Sequence, residues 1–484
     1  MRKILAISAV VFFSIANLVS QDKSTAMKAV QRLNRAPVNK EVLQVSLPRP
    51  TKIRLSNGLT LLFLERHKLP TIAASIWIKT GALSDPKGLP GLASFAADML
   101  REGTDTRTSE QISEELDSIG GDLSAEARFQ QGTTSVNISG LVDSADRLME
   151  LMSDIVVHPS FPESELEKYK KRRQSQLEEE RSQPDFLARE KFYRVLYGDF
   201  PASIVAPTPQ SLAAVKGGDL RKYHDDYFSP ENAILGIAGD LTVTQAQSLA
   251  EKHFGPWRSG RFSATTLPPI APLSPKKIYL IDRPGSVQTE IFVGNLAVKR
   301  VDPDYIPLRV LNRVLGGGVA SRLFLDLREE KGYTYGAYSN VTGNIYPGIL
   351  AARTEVRNAV TDGSIHELLV QLERMRQEAV PSEELEDSRR SIIAEFALSL
   401  ENPQELLDDW LTVEYYGLPV DYWDRYPKEV AQVTSAKVQE IAKKYIDVDH
   451  LQIVCVGDRK EIKDVLEKYG SLEVSDADGR PVKE

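Results

Sequence analysis

The chain has 484 residues, of which 42% are hydrophobic and 26% are charged, and its formal net charge is −8. This length predicts two or more domains, because single hydrophobic cores stop growing at about 250–300 residues. The composition is typical of a soluble globular protein, and the acidic balance argues against nucleic acid or an anionic membrane surface as a partner.

The N-terminal segment, residues 1–20, has the pattern of a secretory signal peptide. Arg2 and Lys3 precede an apolar run from Ile4 to Val19, and polar residues follow. This pattern predicts export to the periplasm or the extracellular space. A retained membrane anchor is the alternative. The run is short for a span, and we expect no stable membrane span once the signal is cleaved.

The chain has a single cysteine, Cys455, in the strand-like run HLQIVCVGD. It cannot form an intramolecular disulfide, and the apolar neighbours predict a buried thiol. No cysteine lies near the end of the signal segment, so we expect no lipid attachment there.

Two long parts of the sequence resemble each other in the same order. The stretch FPESELEKYKKRRQSQLEEE from Phe161 is similar to VPSEELEDSRRSIIAEFALS from Val380. Further on, LYGDFP around Gly198 is similar to YYGLPV around Gly417 at the same separation. The constant separation predicts a tandem duplication of two similar units.

The duplication sets the expected domain organisation. A polar extension at residues 21–47 precedes a first domain at 48–256 and a second at 276–472. A linker rich in Pro, Ser and Gly, residues 257–275, joins the two domains. Residues 473–484 are expected to form a C-terminal tail.

Within each half, the hydrophobic period alternates between that of strands and that of helices. KIRLSNGLTLLFLERH predicts a hairpin around Asn57–Gly58, and SEQISEELDSIG predicts a helix capped by Ser109 and ended by Gly120. Long helices and buried strands follow. The expected fold class is α+β: two similar α/β-sandwich-like units, each an antiparallel-type sheet covered by helices on one face.

The stretch GLPGLASFAADMLREGT predicts an amphipathic helix that carries Ser94 and Asp98 one turn apart on the same face. A zinc site on a helix needs two histidines at this spacing. The six histidines are His67, His158, His224, His253, His366 and His450. No two of them lie one helical turn apart, so the sequence has no local zinc motif. A site assembled from distant histidines remains open.

A run of three glycines, Gly316, Gly317 and Gly318, lies in the stretch LGGGVASR. The Gly-Lys-Ser/Thr of a phosphate-binding loop is missing. Consecutive glycines carry a high backbone entropy. They therefore predict a loop that must flex or closely approach another chain.

The stretch SRLFLDLREEKGYTYGAYS predicts a helix that ends at Gly332 and is followed by a strand. Arg328 falls in the last helical turn, and Tyr335 is expected to enter the strand. An Arg and a Tyr hydroxyl brought together at this corner could hold a peptide carbonyl or a developing oxyanion. Alternatively, Arg328 pairs with a neighbouring glutamate and the tyrosines pack.

These stretches together resemble the pitrilysin/insulinase metallopeptidase family, in particular its processing-peptidase-like two-domain members, over about residues 48 to 470. The resemblance implies a duplicated α+β fold whose halves form a clam-like pair around a peptide chamber. In active members, the helix carries His-x-x-Glu-His, in which the histidines bind zinc and the glutamate is the general base. Ser94, Ala97 and Asp98 stand at those three positions here.

The resemblance also implies a third zinc ligand, a glutamate that would fall at Glu178 or Glu179. One carboxylate cannot hold a catalytic zinc alone. The resemblance therefore implies that this chain carries no metal and does not hydrolyse peptides by itself.

The second half matches the family in another respect. Arg328 and Tyr335 match the pair that grips the substrate and stabilises the tetrahedral intermediate, and the loop Gly316–Gly318 would help to bind substrate. The chain thus resembles the non-zinc subunit of an exported heteromeric zinc metalloendopeptidase. Its implied partners are a homologous zinc-carrying subunit and a peptide or unfolded polypeptide. An inactive peptide-binding or scaffold protein, and a self-sufficient enzyme with relocated chemistry, are the alternatives.

Overall fold

The structure is a computed structural model that describes residues 45–260 and 265–482. The predicted signal peptide and most of the predicted extension, residues 21–44, lie outside the described residues. In the described part of the chain, every helix is too short or too polar to cross a membrane.

The strands of the described chain form two six-stranded sheets. They are β1 (Thr51–Arg54), β2 (Thr60–Glu65), β3 (Thr71–Ile78), β4 (Asp122–Glu126), β5 (Thr134–Leu141) and β6 (Ala233–Gly239) in the first half, and β7 (Lys277–Asp282), β8 (Gln288–Leu296), β9 (Ala337–Val341), β10 (Ile349–Arg357), β11 (Gln452–Gly457) and β12 (Leu472–Ser475) in the second.

The strand order shows the duplication. The first sheet runs β1-β2-β6-β3-β5-β4, and the second runs β12-β7-β11-β8-β10-β9. In each sheet the last strand of the repeat returns to the centre and pairs in parallel, β6 with β2 and β11 with β7. The other central pairs are antiparallel. The predicted α+β fold is confirmed, but each sheet is mixed because a helical crossover precedes its returning strand.

The helices cover these sheets. In the first half they are α1 (Leu92–Met99), α2 (Ser109–Ile119), α3 (Ala145–Val157), α4 (Glu163–Ser182), α5 (Pro184–Tyr197), α6 (Pro209–Ala214), α7 (Gly217–Tyr227) and α8 (Val243–Phe254). In the second half they are α9 (Tyr305–Leu315), α10 (Arg322–Phe324), which continues as a π-helical turn (Leu325–Glu330), α11 (Thr361–Gln377), α12 (Ser382–Ser399), α13 (Pro403–Tyr416), α14 (Tyr422–Gln432), α15 (Ser435–Tyr445) and α16 (Arg459–Glu467).

One helix of each half packs on the sheet of the other half. Helix α5 lies against β8 and β11, and α13 lies against β3 and β6. Along β2, Leu61 and Phe63 join the core of the first half, whereas Leu62 and Leu64 join the core that contains α13. Both sheets are therefore covered on both faces. The expectation of one covered face is wrong because helices are exchanged between the halves.

Polar and aromatic contacts fix the exchanged helices. The hydroxyl of Tyr197 in α5 donates to the carbonyl of Pro347 at 2.9 Å. Tyr415 in α13 meets the ring of Trp77 edge-on, with ring centres 6.1 Å apart. The two halves thus share their hydrophobic cores as well as a boundary.

Several local predictions are confirmed. The first hairpin closes with Leu55 N donating to Leu59 O at 2.9 Å, and Gly58 adopts φ +93°. Helix α2 ends at Gly120 with φ +58°. Its cap is one residue earlier than predicted, since Thr108 and Gln111 form a capping box. Cys455 is fully buried, and this burial raises the pKa of its thiol.

The ends of the second half differ from the predicted boundaries. Leu472–Ser475 pairs in parallel with β7, so the predicted tail at 473–484 begins inside the sheet. Leu47, at the end of the predicted extension, is buried in the second-half core, and its N–H donates to Asp424 at 2.9 Å. Both segments are held by the second half.

Candidate functional site

Helix α1 carries the positions that would hold the zinc motif, and its start is tightly defined. Gly91 adopts φ +95° just before the helix. The carboxylate of Asp85 accepts hydrogen bonds from the N–H groups of Gly91 at 2.6 Å and Ala93 at 2.8 Å. Burial raises the pKa of Asp85 to about 7. The first turn is therefore fixed by a half-buried cap.

The three motif positions on α1 have different environments. Ala97 is completely buried, whereas Ser94 and Asp98 are half-buried. Asp98 accepts a hydrogen bond of 2.5 Å from the hydroxyl of Tyr169 in α4, and the Tyr169 ring contacts Phe95 edge-on. Burial raises the pKa of Asp98. The histidine position nearest to α4 is thus filled by an acid that is already paired with a tyrosine.

A polar cavity of about 420 Å³ lies beside Asp98. It is lined by Asp98, Arg101, Glu102, Ser109, Ile112, Ser113, Ala125, Tyr169, Arg172 and Gln176. The Arg172 guanidinium lies over the Tyr169 ring at 5.5 Å and 3.7 Å from Glu102. The helix facing the degenerate motif therefore contributes a tyrosine and a cation to this cavity.

Glu178 and Glu179 on α4 are the expected positions of a third zinc ligand. Glu178 and Glu179 are exposed and do not line the cavity, and Glu178 accepts from Gln174 at 3.1 Å. The face of α4 turned toward Asp98 is the one that carries Tyr169 and Gln176. Only the packing of α4 on α1 shows which of its residues point inward.

These residues do not fit a zinc ion. Zinc in proteins takes imidazole, thiolate and carboxylate ligands, whereas the cavity offers no histidine or cysteine and two acids that already have partners, Asp98 with Tyr169 and Glu102 with Arg172. In residues 45–260 and 265–482, no group of three His, Cys, Asp or Glu side chains converges as a metal site.

The second candidate element is the connection from α10 to β9. The helix widens into a π turn in which Lys331 N donates to Asp326 O at 3.0 Å, and Gly332 closes it with φ +62°. Such turns are frequent at functional sites. Arg328 projects from this turn with 44% of its side chain exposed, its guanidinium 4.7 Å from the Phe324 ring and 3.4 Å from Glu329.

Tyr335 follows on the same connection. It lies two residues before β9, not inside the strand as predicted. The backbone on either side is fixed because the Thr334 hydroxyl donates to Glu355 O at 2.7 Å and Gly336 N donates to that hydroxyl at 3.1 Å. The Tyr335 side chain is 90% exposed. Along the described chain no hydrogen bond joins Arg328 to Tyr335, and both side chains extend into solvent.

The glycine run follows α9 and packs against β9. A Cβ on Gly316 would lie 2.3 Å from the Ser339 nitrogen, which donates to Gly316 O at 2.9 Å. A Cβ on Gly317 would lie 2.8 Å from the Cα of Arg313. The close approach that the glycines permit is therefore to a strand of the same chain. A Cβ on Gly318 would lie 3.4 Å from the Arg313 guanidinium.

Comparison with known proteins identifies two matching family models. Residues 61–206 match "Insulinase (Peptidase family M16)", and residues 214–392 match "Peptidase M16 inactive domain". The first region contains α1 with the degenerate motif. The second contains the glycine run and the Arg328 to Tyr335 connection.

Curated relatives share these regions. The "Uncharacterized zinc protease YmxG" of Bacillus subtilis is 27% identical over 357 residues, which cover 72% of this chain and 83% of that protein. The "Non-peptidase homolog YmxG" of Helicobacter pylori is 20% identical over 405 residues, which cover 83% of this chain and 93% of that protein.

Solved structures show the same fold. The peptidase M16 inactive domain from Pseudomonas fluorescens superimposes with a TM-score of 0.79 at 23% identity, covering 84% of this chain and 98% of that chain. A protease from Helicobacter pylori gives a TM-score of 0.77 at 18% identity, covering 85% and 100%. From the two family matches, the shared fold and the degenerate motif, we conclude that the chain belongs to the insulinase (M16) peptidase family as an inactive-type member.

Proposed function

We propose that the chain is the non-zinc subunit of an exported heteromeric M16 metallopeptidase. A homologous partner supplies the zinc ion and the general base. This chain supplies peptide-binding surface and the side chains of Arg328 and Tyr335, which stabilise the oxyanion that forms at the scissile carbonyl. The proposed export rests on residues 1–20, which lie outside the described residues.

The observation that carries this proposal is the solvent exposure of the Arg328 and Tyr335 side chains. Both side chains extend into solvent from a backbone that hydrogen bonds hold in place. A donor whose backbone is fixed and whose side chain is exposed can reach a bound group near the surface. The ion pair of Arg328 with exposed Glu329 is weak enough to be exchanged for a substrate group.

The surroundings of this pair support a role in binding. Exposed apolar side chains concentrate between residues 319 and 338, where Val319 is 65% exposed, Leu325 44% and Tyr338 38%. Exposed apolar surface of this kind is typical of protein and peptide interaction sites. The polar residues of the first half do not fit a metal. In this proposal the zinc ion is therefore bound by another chain.

The proposal is tested with the chain purified together with a zinc-motif homologue from the same genome. We expect the pair to cleave an unfolded peptide, and Arg328→Ala or Tyr335→Phe to lower kcat about a hundredfold. Arg357→Ala, which removes an exposed arginine from the same sheet, is the matched control. Full activity in the Arg328 and Tyr335 variants, with zinc content unchanged, would exclude the catalytic role.

An inactive peptide-binding or scaffold protein is the second candidate. It is favoured by the outer edge of β4, to which no other described segment forms a backbone hydrogen bond. Beside it, a cleft of about 690 Å³ lies between the first sheet and the start of α13, lined by Glu126, Asn137 and Asp408 among others. An open edge strand next to a cleft can bind an extended peptide. Peptide binding without cleavage, in a sample that contains no zinc homologue, would favour this function.

A further inference from the structure

A second polar cavity, of about 320 Å³, lies behind the glycine run in the second half. Its lining includes Arg309, Asn312, Arg313, Ser339, Asn340 and Glu395. Helix α9 forms one wall, the edge strand β9 another and α12 a third. Neither Arg328 nor Tyr335 lines it, but Gly316, Gly317 and Tyr338 do, so this cavity adjoins the surface described above.

The charges in this cavity leave one cation without a carboxylate partner. Arg313 is balanced, because its guanidinium lies 2.6 Å from the Glu395 carboxylate and also donates to Gly317 O at 2.8 Å. Arg309 is half-buried, and the groups that interact with it among the described residues are the tyrosines Tyr305, Tyr422 and Tyr426. Since Glu395 is the one carboxylate in the lining, Arg309 contributes an unbalanced positive charge.

The neutral groups in the cavity have unused hydrogen-bond donors. The Oδ1 atom of Asn312 accepts from the Ser339 hydroxyl at 2.8 Å, which leaves its NH₂ group available. Asn340 is exposed at the rim, and within the described chain its amide forms no side-chain hydrogen bond. A guanidinium and two amide donors facing one space match the acceptors of a carboxylate.

The position of the cavity points to a peptide rather than a free ion. It borders the outer edge of β9, where Ser339 N points away from β10 and donates to Gly316 O. Val341 is two residues further along this strand and therefore has the same outward orientation. A peptide that pairs with this end of β9 would bring its carboxylate toward Arg309.

We propose that this cavity binds a carboxylate of a peptide, either the C-terminal group or an Asp or Glu side chain. Arg309 is the cationic ligand, and Asn312 and Asn340 are neutral donors. The inference rests on the proposed peptide-binding function and extends it by naming the chemical group that this surface recognises.

The test measures binding of fluorescein-labelled peptides to the full chain by fluorescence anisotropy. One neutral sequence is made in three forms: with a free C-terminal carboxylate, with a C-terminal amide, and with an amide plus an internal Glu. We expect at least one carboxylate form to bind about tenfold more tightly than the plain amide. Which form gains affinity identifies the source of the carboxylate.

Three variants test whether the preference for a carboxylate arises in this cavity. Arg309→Gln should abolish it, and Asn340→Asp, which adds a negative charge at an exposed rim position, should weaken carboxylate binding in the same direction. Arg357→Gln removes an exposed positive charge from the same sheet outside the cavity and should keep the preference. If thermal unfolding shows that Arg309→Gln does not fold, Asn340→Asp decides the test.

Three results would overturn the proposal. Equal binding of all three peptide forms would exclude carboxylate recognition but leave the proposed peptide-binding function intact. Failure of all forms to bind would contradict both. If acetate or inorganic phosphate binds in the cavity while the three peptide forms bind equally well, the cavity is a site for small anions only.

Discussion

Asp98 stands where the family pattern has a histidine, and its surroundings show how this position differs from a metal ligand. Its carboxylate is paired with the Tyr169 hydroxyl inside a half-buried contact between α1 and α4. A metal ligand must keep its lone pairs directed at the ion, whereas this acid uses them to hold two helices together. The position therefore has a structural role in this chain.

Replacing Tyr169 by Phe tests this role. The variant leaves Asp98 without its hydrogen bond, so we expect the free energy of unfolding to fall by about 1–3 kcal/mol. Urea denaturation gives this value. Tyr335→Phe removes a hydroxyl from a side chain that is 90% exposed and should change stability by less than about 0.5 kcal/mol. Equal effects of the two variants would show that the Asp98 contact contributes nothing.

The sequence allowed some of these residues to be predicted and not others. Arg328 and Tyr335 were found because a short motif on one connection carries both. Tyr169 was missed because its importance depends on which face of α4 meets α1. Such a contact is set by tertiary packing, and the long, highly charged sequence of α4 has little hydrophobic periodicity to reveal it.

At the level of elements, the start of α1 is held by one half-buried carboxylate, that of Asp85. Asp85→Ala removes the acceptor of the Gly91 and Ala93 N–H groups and should destabilise the protein by about 1–2 kcal/mol. Thermal or urea unfolding measures the loss. Asp117→Ala, at an exposed position on α2, is the control. A loss no larger than that of the control would mean that α1 does not depend on this cap.

The contact between α5 and the second sheet predicts a pH dependence. Glu290 on β8 is buried, and this burial, together with the charges of Asp185 and Glu355, raises its pKa to about 8, although Arg353 acts in the opposite direction. The folded state therefore holds a proton that the unfolded state has lost above its ordinary pKa of 4.5. Stability is thus expected to decline as the pH rises from about 4.5 to 8.

Urea denaturation between pH 5 and pH 8.5 measures this decline. Glu290→Gln removes the titrating group and should make the curve flatter over this range. Burial also raises the pKa values of Asp85 and Asp409 to about 7, so both acids contribute to the same decline in stability. Because they remain in the variant, its curve should be flatter but not level. A variant curve as steep as that of the wild type would contradict the assignment to Glu290.

At the scale of the whole molecule, the two halves are joined more closely than the sequence indicates. The duplication and the α+β class could be predicted, because recurring motifs at constant spacing are a property of the chain itself. The exchange of α5 and α13 between the two halves could not be predicted from the sequence. Both helices have apolar residues that could pack on either sheet. Only the assembled cores show that each helix covers the sheet of the other half.

This exchange predicts that neither half is stable alone. Expressed separately, residues 45–264 and residues 265–484 should each be insoluble or lack a cooperative unfolding transition, because each sheet loses the helix that covers one face. Co-expression should restore a soluble complex, seen by size-exclusion chromatography. The full chain with a protease site inserted in the linker is the control and should stay assembled after cleavage. A cooperatively folding single half would contradict the shared core.

The central claim is that this chain completes the active site of a zinc-carrying partner. The most direct measurement is the rate of peptide cleavage by the zinc-motif homologue alone, by this chain alone, and by the two together at equal concentration. We predict that the pair cleaves at least about a hundredfold faster than either component. A homologue that cleaves at the full rate of the pair without this chain would contradict the account.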